Sequence, residues 1–440
     1  MSRLIRFSSL TMTVILLANI LAACGSGQTA TSAPTTVLST DAANPTIVAT
    51  ESAVTEPAAT EANAETPGTG TTPQATASTG ESATPAIVAA ANAFLETLDE
   101  TQRAAVSFPY PSDQTTATAV DFGGRVGEQF GESVWSNYPV SDVIRPGLKM
   151  GDLTDTQREA VLTLLATTLS KQGYQKVLDI MNADQVLAEG GTNYASGKEN
   201  YLIGLFGTPS DSTRWMLQFG GHHLGLNVTI QGAAMTMAPT LTGCDPCEFT
   251  DASGNTVRPL GAETDAAFAL INALDATQQQ QAILSYSVTD LVLGPGHDGQ
   301  VLEPEGIPAA SLNADQQALL LELVGNWVNM LNDASAQARM ADLEANLADT
   351  YFAWSGPTTP GSAIYFRITG PSLHIEFANQ GAMGGPGGGP GGAPGGTPAG
   401  GTPSGTPGGG QSNPPGTGSA NHIHTIYRDP TNEYGTGLSQ

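Results

Sequence analysis

The stretch Arg214-Trp215-Met216-Leu217-Gln218-Phe219-Gly220-Gly221-His222-His223-Leu224-Gly225-Leu226-Asn227-Val228-Thr229 decides the reading of the fold. Two strand-like runs meet at a pair of glycines, which reads as a β-hairpin with Gly at the bend. A second stretch, Ala363-Ile364-Tyr365-Phe366-Arg367-Ile368-Thr369-Gly370-Pro371-Ser372-Leu373-His374-Ile375-Glu376-Phe377, follows the same pattern. Aligning Gly221 with Gly370 also pairs Leu224 with Leu373, Leu226 with Ile375 and Asn227 with Glu376.

Working outward, each hairpin is preceded by the same kind of sequence. Ala93-Phe94-Leu95-Glu96-Thr97-Leu98-Asp99 is matched by Phe268-Ala269-Leu270-Ile271-Asn272-Ala273-Leu274-Asp275. Arg145-Pro146-Gly147 pairs with Gly294-Pro295-Gly296 in a following loop. Helices are then expected from Leu153-Thr154-Asp155 and Leu312-Asn313-Ala314, with Thr154 and Asn313 as N-caps. Further helices are expected over about 172–188 and 335–348. The expected fold is α+β: two pseudo-repeated halves, about 86–240 and 260–440, each of helices followed by a β-hairpin, packed as one large domain. The folded part covers 86–380 plus 421–440.

The flanks read differently. Arg3 and Arg6, an apolar run from Leu10 to Ala23, and then Leu21-Ala22-Ala23-Cys24-Gly25-Ser26 resemble the signal peptide and lipobox of bacterial lipoproteins. The resemblance implies that 1–23 is removed and that Cys24 carries lipid. The protein is then extracytoplasmic, anchored to the cell membrane or the outer membrane. Residues 24–85 are rich in Thr, Ala and Pro and cannot bury enough apolar surface to fold, so they read as a tether. Residues 381–420 are nearly all Gly, Pro, Thr and Ser and read as a disordered insertion. With 15 Lys+Arg and a formal net charge of −26, the chain is expected to repel phosphate backbones, which excludes nucleic acid as a partner. The small-molecule ligand and the oligomeric state stay open.

With Cys24 lipidated, the other two of the 3 cysteines, Cys244 and Cys247, form a pair in a turn-rich loop, and a local disulfide is expected.

Four motifs carry a resemblance to a known family. They are Phe219-Gly220-Gly221-His222-His223-Leu224-x-Leu226-Asn227-x-Thr229, Val257-Arg258-Pro259-Leu260, Tyr351-Phe352-Ala353-Trp354-Ser355-Gly356 and Asn421-His422-Ile423-His424-Thr425-Ile426-Tyr427-Arg428-Asp429-Pro430. Together, over roughly 90–438, the chain resembles the bacterial family called domain of unknown function 3500. The insertion stands where the family has a short link before Asn-His-x-His. The resemblance implies a fold-level grouping and no activity.

Of the 6 histidines, five fall in expected strands. Alternation places His374 with Glu376, and His422 with His424 and Arg428. It puts His223, Asn227 and Thr229 on the polar face and His222 on the opposite, apolar one. Residues two apart on a strand lie about 7 Å apart, so His422 and His424 can converge on one ion. The sharpest reading is a metal site of His422, His424 and one or both of His222 and His223 for zinc, copper or iron. Glu376 then acts as ligand or general base. Arg258 and Arg428 stand out among few basic residues and read either as a grip for an acidic substrate or, in preference, as internal ion-pair partners of Asp429 or Glu263. Asn227, Asn421 and Asp429 orient the imidazoles. A metal-dependent hydrolase, a non-catalytic metal or small-ligand binder, and a structural module with supporting histidines all remain compatible with this pattern. His297 is expected to be a solvated loop residue.

Overall fold

The computed structural model describes residues 82–111, 116–191, 197–381 and 418–438. The expected signal peptide with Cys24, the tether up to residue 81, and 382–417 of the expected insertion lie outside them. No helix among the described residues is long and apolar enough to cross a membrane.

The chain opens with α1 (Thr84–Glu96), α2 (Glu100–Val106) and the short β1 (Ser107–Phe108). A small sheet of β2 (Thr118–Asp121), β3 (Val126–Phe130) and β4 (Ser133–Trp135) follows, then β5 (Leu148–Lys149). Next come α3 (Asp155–Thr168), α4 (Lys171–Glu189), β6 (Leu202–Phe206), β7 (Trp215–Gly220), β8 (Leu224–Gln231), β9 (Ala234–Thr236) and β10 (Thr240–Cys244). A ribbon of β11 (Phe249–Thr250) and β12 (Thr256–Val257) leads to α5 (Gly261–Ala273), α6 (Ala276–Ala282) and β13 (Ile307–Pro308). The chain continues through α7 (Ala314–Val328), α8 (Asp333–Ala345), β14 (Tyr351–Ser355), β15 (Tyr365–Gly370), β16 (Leu373–Gly381) and β17 (Gly418–Arg428).

Local sequence explains the helix starts. Thr154 and Asn313 cap α3 and α7, each in a capping box closed by a glutamine three residues on. Those glutamines also reach sideways: Gln157 donates to Thr97 O at 3.0 Å, and Gln316 to Ala273 O at 2.8 Å. A side chain that closes a cap also ties two helices together in this way. The glycine ahead of each helix pair is Gly147 or Gly306, not Gly296. A Cβ on Gly147 would lie 2.1 Å from Ile203 O, and one on Gly306 2.1 Å from Phe352 O. Only glycine tolerates both that approach and the positive φ found there.

The main sheet has 12 strands, in the order β1-β6-β7-β8-β10-β17-β16-β15-β14-β13, with β5 and β9 paired alongside. All pairings are antiparallel except β1 with β6. At its centre β10 lies against β17. Cross-strand partners share a face, and the register sorts the sheet into two very different sides. One side carries Leu217, Phe219, Leu224, Leu226, Phe366, Ile368, Ile375 and Phe377. These pack with Val161, Leu164, Val177, Ile180, Leu320 and Leu323 of the helices into the main core. The other side carries Gln218, Asn227, Gly243, His424, Arg428, Glu376, His374 and Arg367. Most of these polar side chains are buried under the end of β4 at Trp135 and the segments around Leu291 and Tyr434. Burying that polar face requires hydrogen-bond partners for every group on it, and the candidate site lies at its edge.

Candidate metal centre

Two stretches bring the histidines together. The register pairs Gly243 of β10 with His424 of β17, and β17 also carries His422 two residues earlier on the same side. His222 and His223 sit in the bend between β7 and β8, just outside the ladder. Released from strand alternation, their rings stack with centroids 3.9 Å apart. This corrects the expectation that they point to opposite faces: residues 221–223 form a turn, so the period of two does not apply.

The Nε2 atom of His422 lies 3.3 Å from Nε2 of His223 and 3.2 Å from Nε2 of His424. A single proton on His422 cannot serve both contacts well, whereas a cation between the three nitrogens would satisfy all of them. Four-coordinate zinc with Zn–N bonds of about 2.0–2.1 Å sets its nitrogen ligands about 3.3–3.4 Å apart. His223, His422 and His424 thus form a group that could hold a metal ion.

Each ring is backed on its far nitrogen. Asp184 of α4, fully buried, accepts from Nδ1 of His223 at 2.6 Å, which fixes the tautomer with the lone pair on Nε2. Asp184 also accepts from the Tyr201 hydroxyl at 2.7 Å. Behind His424, the Asn137 amide lies 3.4 Å and Asp290 3.7 Å from Nδ1. Behind His422, Asp245 lies 3.9 Å from Nδ1. Burial, with the neighbouring imidazoles adding, pushes the pKa of His422 far below the usual histidine value, and His222 is lowered in the same way. Both rings are therefore held neutral, the form that binds metal. Gly243 is the floor of the group: a Cβ there would sit 3.2 Å from Cδ2 of both His223 and His424. His222 belongs to a second, overlapping group with Asp184 and His223.

Several expected site residues do other work. Glu376 lies on the same face but is used up locally. It accepts from the backbone amides of Val292 and Leu293 at 2.6 and 2.7 Å, from the Tyr365 hydroxyl at 2.8 Å, and pairs with His374 at 2.9 Å. Burial would raise its pKa, but His374 and those amides outweigh burial and hold the carboxyl below its usual range. It is neither a ligand nor a base at the histidine cluster. Arg428 is an internal ion-pair partner, though not of Asp429 or Glu263, and is not placed to grip a substrate. Its guanidinium pairs with Glu128 at 2.5 Å and Glu433 at 2.7 Å, and also donates to Leu293 O and Gly294 O. Of the residues expected to orient imidazoles, Asn227 bonds Gln218 and Pro239 O, and Asp429 pairs with Arg339 at 2.9 Å. Asn421 accepts from the amide of Glu248. Each meets a nearer demand of the buried polar face or its loops. Arg258 pairs with Asp265 at the surface. His297 is half-buried rather than solvated, and its backbone amide donates to Glu128. Cys244 and Cys247 form a disulfide.

The residues missed from the sequence are those behind the rings. Asp184 left a trace: it follows Val177, Ile180 and Met181 on the buried stripe of α4, where a carboxylate needs a partner. Asn137, Asp245 and Asp290 come from loops and left none.

A family model described as "Protein of unknown function (DUF3500)" matches residues 80–436. The chain belongs to this family. No curated protein and no solved structure matches it. The match runs from the start of α1 to the turn after β17, so both contributors to the histidine cluster fall within the DUF3500 region.

Proposed function

We propose that this DUF3500 protein is a metal-dependent protein whose centre is built by His223, His422 and His424, with zinc the best-fitting ion. The carrying observation is the approach of three imidazole Nε2 atoms, two of the contacts being 3.2 and 3.3 Å, with a carboxylate on the far nitrogen of His223. Three protein ligands leave a fourth position for water, the arrangement that suits hydrolysis: the ion lowers the pKa of the bound water and polarises the bond to be broken. His422 retains 16% of its side-chain exposure while His223 has none, so the approach from solvent passes over His422. A second reading is a site that captures metal on the same three imidazoles without catalysis. The sequence before the described residues supports placing the protein outside the cytoplasm, tethered to a membrane through lipid on Cys24.

Elemental analysis of the purified protein tests the centre. About one equivalent of a divalent transition metal is expected in the wild type, and none in His422→Ala/His424→Ala. A wild type with under about 0.1 equivalent after incubation with zinc would refute it.

A further inference from the structure

The disulfide lies against the metal centre in both sequence and space. Cys244 ends β10 and pairs in register with Ile423 of β17. Cys247 donates its backbone amide to Asn421 O at 2.9 Å, and the next residue, Glu248, donates to the Asn421 side chain at 2.9 Å. The residues on either side of His422 are therefore both held by the Cys244–Cys247 ring or its immediate neighbour. The same ring contains Asp245, whose carboxylate faces Nδ1 of His422 at 3.9 Å. Gly243, which floors the space between His223 and His424, immediately precedes it. Both sulfur atoms belong to buried residues.

We infer that the Cys244–Cys247 disulfide is a positioning element of the metal centre: it pins β17 on both sides of His422, so that metal affinity follows the oxidation state of the cysteine pair. This rests on the metal reading above. A ring closed over three bonds of sequence removes little chain entropy, so its main consequence is local, on the placement of His422 and Asp245. Reduction by a dithiol breaks the S–S bond. Two electrons and two protons pass to Cys244 and Cys247, which become thiols, and the dithiol becomes a disulfide. The ring opens, Asp245 and the Cys247 amide are freed, and His422 loses its hold.

The test is Co²⁺ and Zn²⁺ affinity, by competition with a chromophoric chelator, on full-length oxidised protein, on protein reduced with a dithiol that is then removed anaerobically, and on Cys244→Ser/Cys247→Ser. The expected result is binding weakened by about tenfold or more in both altered forms, with a changed Co²⁺ visible spectrum, an unchanged far-UV circular dichroism spectrum and recovery on reoxidation. Equal affinity in folded oxidised and reduced protein would overturn the inference. So would global unfolding on reduction, which would make the disulfide a fold element. If the double variant does not fold, the reduced and reoxidised wild type decides. Loss of binding in His422→Ala with no effect of the cysteine pair would sink this inference alone. Absence of binding in oxidised wild type would sink the metal reading and this one with it.

Discussion

The carboxylate of Asp184 lies 2.6 Å from Nδ1 of His223, and neither side chain has any solvent exposure. A charged-acceptor hydrogen bond of that length, in a dry setting, holds the ring in one orientation and makes its other nitrogen the better donor to a metal. Asp184→Asn keeps the shape but removes the charge. Metal affinity is expected to fall by about 10–100-fold, read by chelator competition, with the far-UV spectrum unchanged. Unaltered affinity would show that Asp184 serves only the fold.

Gly243→Ala probes the space between the rings. The new methyl would meet Cδ2 of His223 and of His424 at 3.2 Å each and Ile423 O at 2.8 Å. Since the backbone contact cannot yield freely, the rings or β17 must shift. Metal binding should weaken by about tenfold or more, and the variant should lose little helix content by circular dichroism. Gly225→Ala would meet Trp135 rather than an imidazole, so it controls for general crowding of the same face and should leave metal binding intact.

Arg428 belongs to the fold rather than the chemistry. Burial would lower its pKa, but Glu128 and Glu433 outweigh that and hold it above the ordinary arginine value. Arg428→Met leaves the buried Glu128 carboxylate without its cation and the Glu433 carboxyl without its donor, and is expected to cost about 3–5 kcal/mol in chemical denaturation. At temperatures where the variant remains folded, its metal content should match the wild type. Metal loss from a folded Arg428→Met protein would reopen a role for this residue at the centre.

Glu433 gives stability a pH dependence of known sign. Burial is the main cause of its high pKa; Arg428 opposes it, Asp298 and Glu128 add to it, and the carboxyl is pushed up to about 9 from 4.5. The folded state therefore holds a proton that the unfolded chain releases. This contribution is complete below about pH 4.5 and is lost as pH rises toward about 9. Glu433→Gln mimics the protonated form at every pH. The melting temperature of the wild type minus that of this variant should fall as pH rises through that window. A flat difference would place the proton elsewhere.

Much of the architecture was legible because local signals agreed with it. Thr154 and Asn313 announce their helices, and alternation in 224–228 and 373–377 separates the apolar face from the polar one. Alternation fails at His222 and His223 because it holds only within a ladder, and the turn over 221–223 ends just before β8. Glu376 was read as chemistry, and Arg428 as a substrate grip or an internal ion pair, because charged groups are scarce and conspicuous in this sequence. Their partners, the amides of Val292 and Leu293, Glu128 and Glu433, come from distant loops that sequence spacing does not bring into view. The same long range hides the residues behind the imidazoles: His223 is 39 residues from Asp184, and His424 is 287 residues from Asn137.

The most direct measurement is X-ray absorption fine structure at the zinc edge on purified, zinc-loaded protein. Three imidazole nitrogens and one further light atom at about 2.0–2.1 Å are predicted, with the outer-shell scattering of the rings. A first shell containing sulfur at about 2.3 Å, or zinc bound only by oxygen without ring scattering, would contradict the account.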